Sequence, residues 1–93
     1  MVPQSTQHFK KLGKLFKANR EKQNITQREA SVKLGYSSPQ FISNFERGLC
    51  SLPLKKIKIL IELYSMDADS VANMIIEFQS KTIRKSLTAS KSA

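Results

Sequence analysis

Residues 26–48 read TQREASVKLGYSSPQFISNFERG, and this stretch holds most of the chain's start and stop signals. Thr26 and Glu29 have capping-box spacing: the Thr26 hydroxyl can take the Glu29 amide while the Glu29 carboxylate reaches back to Thr26. A short helix is therefore predicted from Gln27 to about Leu34, with Gly35 supplying the positive φ that closes it. Ser37-Ser38-Pro39 then starts another, with a serine cap and a proline in the first turn, where a missing N–H costs nothing. That helix is predicted to stop near Arg47, before Gly48.

Outward from this pair, the remaining apolar residues repeat at helical spacing, and no segment of useful length alternates with period two. A first helix begins after Ser5 or Thr6 and runs to about Lys22, with Phe9, Leu12, Leu15 and Phe16 on one stripe and Asn24 ending it. Leu52-Pro53-Leu54 opens a fourth, whose buried face is Leu54, Ile57, Leu60, Ile61 and Tyr64. Asp67 or Asp69 caps a fifth, in which Val71, Met74, Ile75 and Phe78 recur at three and four residues. That last stripe is either a dimer seam or the completion of the core. The expected fold is all-α, with five helices and an extended C-terminal helix. Residues 1–66 form the first unit, 67–85 the C-terminal helix, and 86–93 a frayed tail almost without apolar mass.

The 93 residues leave room for one modest core, and 16 Lys+Arg against 7 Asp+Glu give a net charge of +9. The charge is local. Residues 1–60 carry twelve cations and three anions, residues 61–80 four anions and no cation, and residues 81–93 four cations. One part of the molecule is built to meet a polyanion, of which nucleic acid is the commonest. A membrane partner is not expected: the longest aliphatic run is Ile59-Leu60-Ile61, and no signal peptide is visible. The lone Cys50 cannot form an internal disulfide, which fits a reducing cytoplasm; it reads as an unremarkable small residue before a redox switch.

On the helix beginning at Pro39, Ile42 and Phe45 point together toward the core. Opposite them fall Gln40, Ser43, Asn44 and Arg47, with Ser38 and Pro39 at the helix start. Gln or Asn matches adenine bidentately, Arg matches guanine, and Ser suits several base edges, so these six are the candidate base contacts. The plain alternative is a solvated polar face. Phe41 lies at the margin, either covering a core edge or meeting a thymine methyl group. Arg28 and the cluster Lys55, Lys56 and Lys58 are candidate phosphate contacts, and so is Gln27 at the first position of its helix. The lysines of the first helix read equally well as a solvated face.

Two short helices around a glycine-containing turn, in a basic all-α chain, follow the helix-turn-helix plan. Leu12-Gly13, Arg20, Ile25-Thr26-Gln27-Arg28-Glu29-Ala30, Leu34-Gly35-Tyr36-Ser37, Ile42-Ser43, Phe45-Glu46-Arg47-Gly48 and Pro53 stand in the order of the Cro/phage-repressor-like (Xre-type) helix-turn-helix family. The chain resembles that family over roughly residues 10–65. The resemblance implies double-stranded DNA as partner, bound by homodimers on inverted half-sites. It also implies a phosphate role for Gln27 and an internal ion pair between Arg20 and Glu46. Two features depart from the pattern. Gly35 and Ile42 are seven apart, so the turn is expected to be one residue longer, and Ala30 stands where leucine is common.

Other chemistry finds little support. One histidine and one cysteine leave a zinc site short of ligands, and no phosphate loop or nucleophile motif occurs, so neither an enzyme nor a metal or other cofactor is expected. The expected function is sequence-specific regulation of transcription by a cytoplasmic, nucleoid-associated protein reading the major groove with residues 39–47. The alternative is an antitoxin or adaptor whose C-terminal helix binds a partner protein.

Overall fold

The computed structural model describes the backbone of residues 3–78 and the side chains of residues 8–78. Helix α1 spans Pro3–Lys22, α2 Gln27–Lys33, α3 Gln40–Glu46 and α4 Leu54–Leu63, and a fifth helical stretch, α5, occupies residues 68–78. The described residues contain no strand, so the fold is the expected all-α one. No described helix is long and apolar enough to cross a membrane. The expected tail, 86–93, and the end of the expected C-terminal helix lie outside the described residues.

Each boundary has a local cause. The capping box at α2 is complete, with Glu29 N–H donating to Thr26 Oγ1 at 3.0 Å and Thr26 N–H to Glu29 Oε1 at 2.8 Å. The Thr26 amide donates into the Glu29 carboxylate and holds its pKa below the usual carboxylate value. Asn24 turns the chain out of α1 at φ 58°, a conformation its short amide tolerates, and Gly35 follows α2 at φ 82°. Asp67 is the acceptor at the start of α5, 3.3 Å from the Ser70 amide and 2.5 Å from its hydroxyl, which lowers the Asp67 pKa.

Four expectations shift. Helix α1 begins at Pro3 and not after Ser5 or Thr6; proline suits a first turn, whose amides have no acceptor in any case. Helix α3 is capped by Pro39, whose carbonyl accepts the Ser43 amide at 2.9 Å, and Ser38 Oγ stands 3.4 Å from the Gln40 amide. Phe9 is exposed because the 20-residue α1 outruns the seven-residue α3 it packs on. Leu54 is 70% exposed: it sits about 60° around the helix from Ile57, in a first turn that overhangs the core.

The core is built from Leu12, Phe16, Ala30, Leu34, Ile42, Phe45, Leu52, Ile57, Leu60, Tyr64 and Val71. Phe16 is its hub. It meets Phe45 edge-on with centroids 5.2 Å apart and Tyr64 edge-on at 6.4 Å, which ties α1 to α3 and to the end of α4. Such pairs contribute about 0.5–1.5 kcal/mol beyond their burial. Gly13 lets α1 and α3 cross closely, since a Cβ there would stand 2.6 Å from the Glu46 carbonyl oxygen. The result is a fixed scaffold that presents α3 with its opposite face outward.

Candidate nucleic-acid interface

With Ile42 and Phe45 sealed in the core, the helical repeat turns Gln40, Asn44 and Arg47 outward together. Gln40 and Arg47 are exposed, whereas Ser43 and Asn44 are half-buried. The three outward side chains form one hydrogen-bonded row. Gln40 Nε2 donates to Asn44 Oδ1 at 2.9 Å, and Arg47 Nη2 donates to the same oxygen at 2.8 Å. The Asn44 carbonyl is thereby spent inside the row, and its amide N–H groups stay available as donors. Gln40 keeps a carbonyl acceptor and Arg47 its remaining donors. A surface carrying both signs of hydrogen-bonding group is chemically matched to base edges in the major groove. Ser38 is exposed and Pro39 half-buried at the start of the same helix.

Behind this row lies an ion pair that fixes the helix. Arg20 Nε donates to Glu46 Oε2 at 2.6 Å and Arg20 Nη2 to Glu46 Oε1 at 3.1 Å, with both residues buried. A third bond, from Arg20 Nη1 to the Ile25 carbonyl at 2.8 Å, ties the same guanidinium to the α1–α2 turn. Hydrogen bonding to Glu46 raises the Arg20 pKa further above its usual value, against the opposing effect of burial. Gln27 joins the cluster: its Nε2 donates to Glu46 Oε1 at 2.8 Å. Start of α2, last turn of α1 and end of α3 are thus held through one carboxylate.

The candidate phosphate contacts are less uniform than their spacing suggests. Arg28 is exposed in the first turn of α2, but the Glu29 carboxylate already sits at the helix end where an anion is favoured. Gln27 is half-buried and engaged by Glu46. The three lysines of α4 diverge. Lys55 is exposed; Lys56 donates to the Leu34 carbonyl and sits 4.9 Å from the Tyr36 ring centroid; Lys58 lines a groove on the α5 side. Only Lys56 is held against the turn that precedes α3.

That groove bears on the C-terminal stripe. Val71 is buried in the common core, while Met74, Ile75 and Phe78 are half-buried against it. The stripe therefore completes the core. Beside it, Leu54, Ile57, Ile61, Ile75 and Ile76 line a shallow apolar groove of about 270 Å³ between α4 and α5, and Ile76 is 58% exposed. Sequence reasoning missed the groove because Leu54 carries the same periodic signal as its buried neighbours. It also missed the stack of Tyr36 on Phe41, centroids 4.5 Å apart and planes 22° from parallel. Two aromatics five residues apart across Pro39 were the available sign. Among the described residues no three His, Cys, Asp or Glu side chains group as metal ligands.

No curated protein and no solved structure matches the chain. The helix-turn-helix family model, of the Xre/Cro type, matches residues 16–70, which includes the whole of α2, α3 and α4, the Arg20–Glu46 pair and the outward row. With more than half of its length matched, the chain belongs to the Xre/Cro-type helix-turn-helix family of DNA-binding domains.

Proposed function

We propose that the protein is a sequence-specific regulator of transcription that reads the DNA major groove with α3 and acts as a homodimer in the cytoplasm, at the nucleoid. The observation that carries this reading is the Gln40–Asn44–Arg47 row, pre-bonded and outward on a helix locked by the Arg20–Glu46 pair. Locked side chains lose little entropy on meeting a base, which favours discrimination over mere attraction. Ser38, Pro39 and Ser43 complete the proposed base contacts. Arg28, Lys55 and Lys56, with the free groups of Gln27, supply the sequence-independent contacts to phosphate. Lys58, aimed at the α4–α5 groove, serves phosphate less well than its neighbours.

The occupant proposed for the groove is a second copy of this chain. Along α4, Leu54, Lys58 and Ile61 share the groove side, with Lys55 and Glu62 on its flank. Lysine stands at one end of the helix and glutamate at the other, so a two-fold axis across α4 brings the Lys55 end of one copy to the Glu62 end of the other. The half-sites then lie about 34 Å, one helical turn, apart. The second reading, an antitoxin or adaptor, rests on the same groove filled by a different protein.

Selection of binding sites from random duplex DNA, at near-physiological salt, tests the proposal. A consensus with two-fold symmetry is the expected result. An asymmetric consensus would overturn the homodimer alone, and failure to enrich any sequence would overturn DNA reading in favour of the adaptor.

A further inference from the structure

Phe41 is half exposed on the helix proposed to read DNA, and it is not part of the core. It stands three residues before Asn44, so the two side chains are neighbours on one helix face. An isolated phenylalanine there would be a mobile apolar group. This one is held: its ring lies on Tyr36 at 4.5 Å and 22°. The Tyr36 ring is in turn met by the Lys56 ammonium at 4.9 Å, and that ammonium donates to the Leu34 carbonyl at the end of α2. A chain of contacts thus runs from the α2 terminus through Lys56 and Tyr36 to Phe41. It crosses the turn at residues 34–39 between the two motif helices.

We propose that Phe41, held by Tyr36 and Lys56, is a specificity determinant that recognises the 5-methyl group of a thymine beside the base met by Asn44. The inference rests on the functional reading above and adds a named chemical feature to it. Among the groups the four bases present in the major groove, the thymine methyl is the apolar one. A fixed apolar ring at the edge of a hydrogen-bonding row matches that feature and no donor or acceptor. Insertion between base pairs is disfavoured, because the ring would have to leave the tyrosine on which it is stacked. Burying one methyl group corresponds to about a fourfold change in affinity.

The test replaces each thymine of the selected duplex, one at a time, by deoxyuridine, which removes the methyl group and leaves the pairing edge intact. Wild-type protein, Phe41→Ala and Phe41→Leu are compared by equilibrium binding, with circular dichroism melting to establish that each variant is folded. The expected result is one thymine per half-site at which wild type loses about fourfold in affinity, Phe41→Leu, which cannot stack on Tyr36, loses less, and Phe41→Ala loses nothing. Wild-type indifference at every thymine, an equal loss in Phe41→Ala, or a selected site without thymine would each overturn the inference. In those cases Asn44-dependent selection of a site still stands, so the functional reading survives. Failure to select any duplex overturns both.

Discussion

Tyr64 illustrates how a single atom can oppose the packing that surrounds it. Its ring is 1% exposed and edge-on to Phe16, yet its hydroxyl has no hydrogen-bond partner among the described residues. Burial pushes the phenol pKa well above its usual range, and the nearby Glu46 carboxylate adds to that shift while Arg20 opposes it. An acid whose pKa rises on folding contributes stability that is complete below the unfolded value, near 10, and declines as pH rises beyond it. Tyr64→Phe is therefore expected to be neutral or mildly stabilising at pH 7, since the ring stays and an unpaired hydroxyl goes. Its melting temperature should also fall less than that of wild type between pH 9 and 11, measured by circular dichroism. Gly13 gives the opposite case. Alanine is the better helix former by about 1 kcal/mol, but its Cβ would press on the backbone carbonyls of Phe45 and Glu46. Gly13→Ala is expected to lose about 1–3 kcal/mol in urea titration, because backbone cannot rotate aside as a side chain can.

At the level of elements, the decisive group is the Arg20, Gln27 and Glu46 cluster, which joins three helices through one carboxylate. Glu46→Ala leaves a buried guanidinium without its counter-ion and is expected to destabilise the fold by about 3–5 kcal/mol. Chemical denaturation should show it, and Arg20→Ala should match it; a loss below about 1 kcal/mol would mark the pair as no stronger than a surface bridge. Much of this scale was legible beforehand. Thr26, Glu29, Gly35 and Gly48 announce the limits of α2 and α3 because caps and left-handed turns depend on local chemistry. Side chains at the margins were harder to read. Leu54 and Phe9 have the periodicity of core residues, and whether a stripe is covered depends on how far the opposing helix extends. The engagement of Gln27 by Glu46, and the divergence of Lys55, Lys56 and Lys58, likewise depend on tertiary neighbours that spacing does not encode.

Over the whole molecule, charge and specificity are separated. The net +9 is carried by residues 1–60, which include α2 and α3, while the four anions Glu62, Asp67, Asp69 and Glu77 fall from the end of α4 through α5. General attraction to DNA then belongs to many cations at once, and no single one dominates. Lys55→Ala is expected to weaken binding to every duplex by a similar factor and to lower the slope of log affinity against log salt by about one unit. Fluorescence anisotropy over a salt series reads both quantities. An unchanged slope would remove Lys55 from the phosphate contacts and leave it to the proposed pairing with Glu62 of a second copy.

The proposed choice of sequence by α3 runs through the row anchored on the Asn44 carbonyl. Binding of wild type and Asn44→Ala to the selected duplex and to a scrambled duplex of equal length, at one salt concentration, tests it most directly. The expected result is a loss of about 1–3 kcal/mol, roughly 5- to 150-fold, on the selected duplex and little change on the scrambled one. An equal loss on both duplexes would contradict the claim.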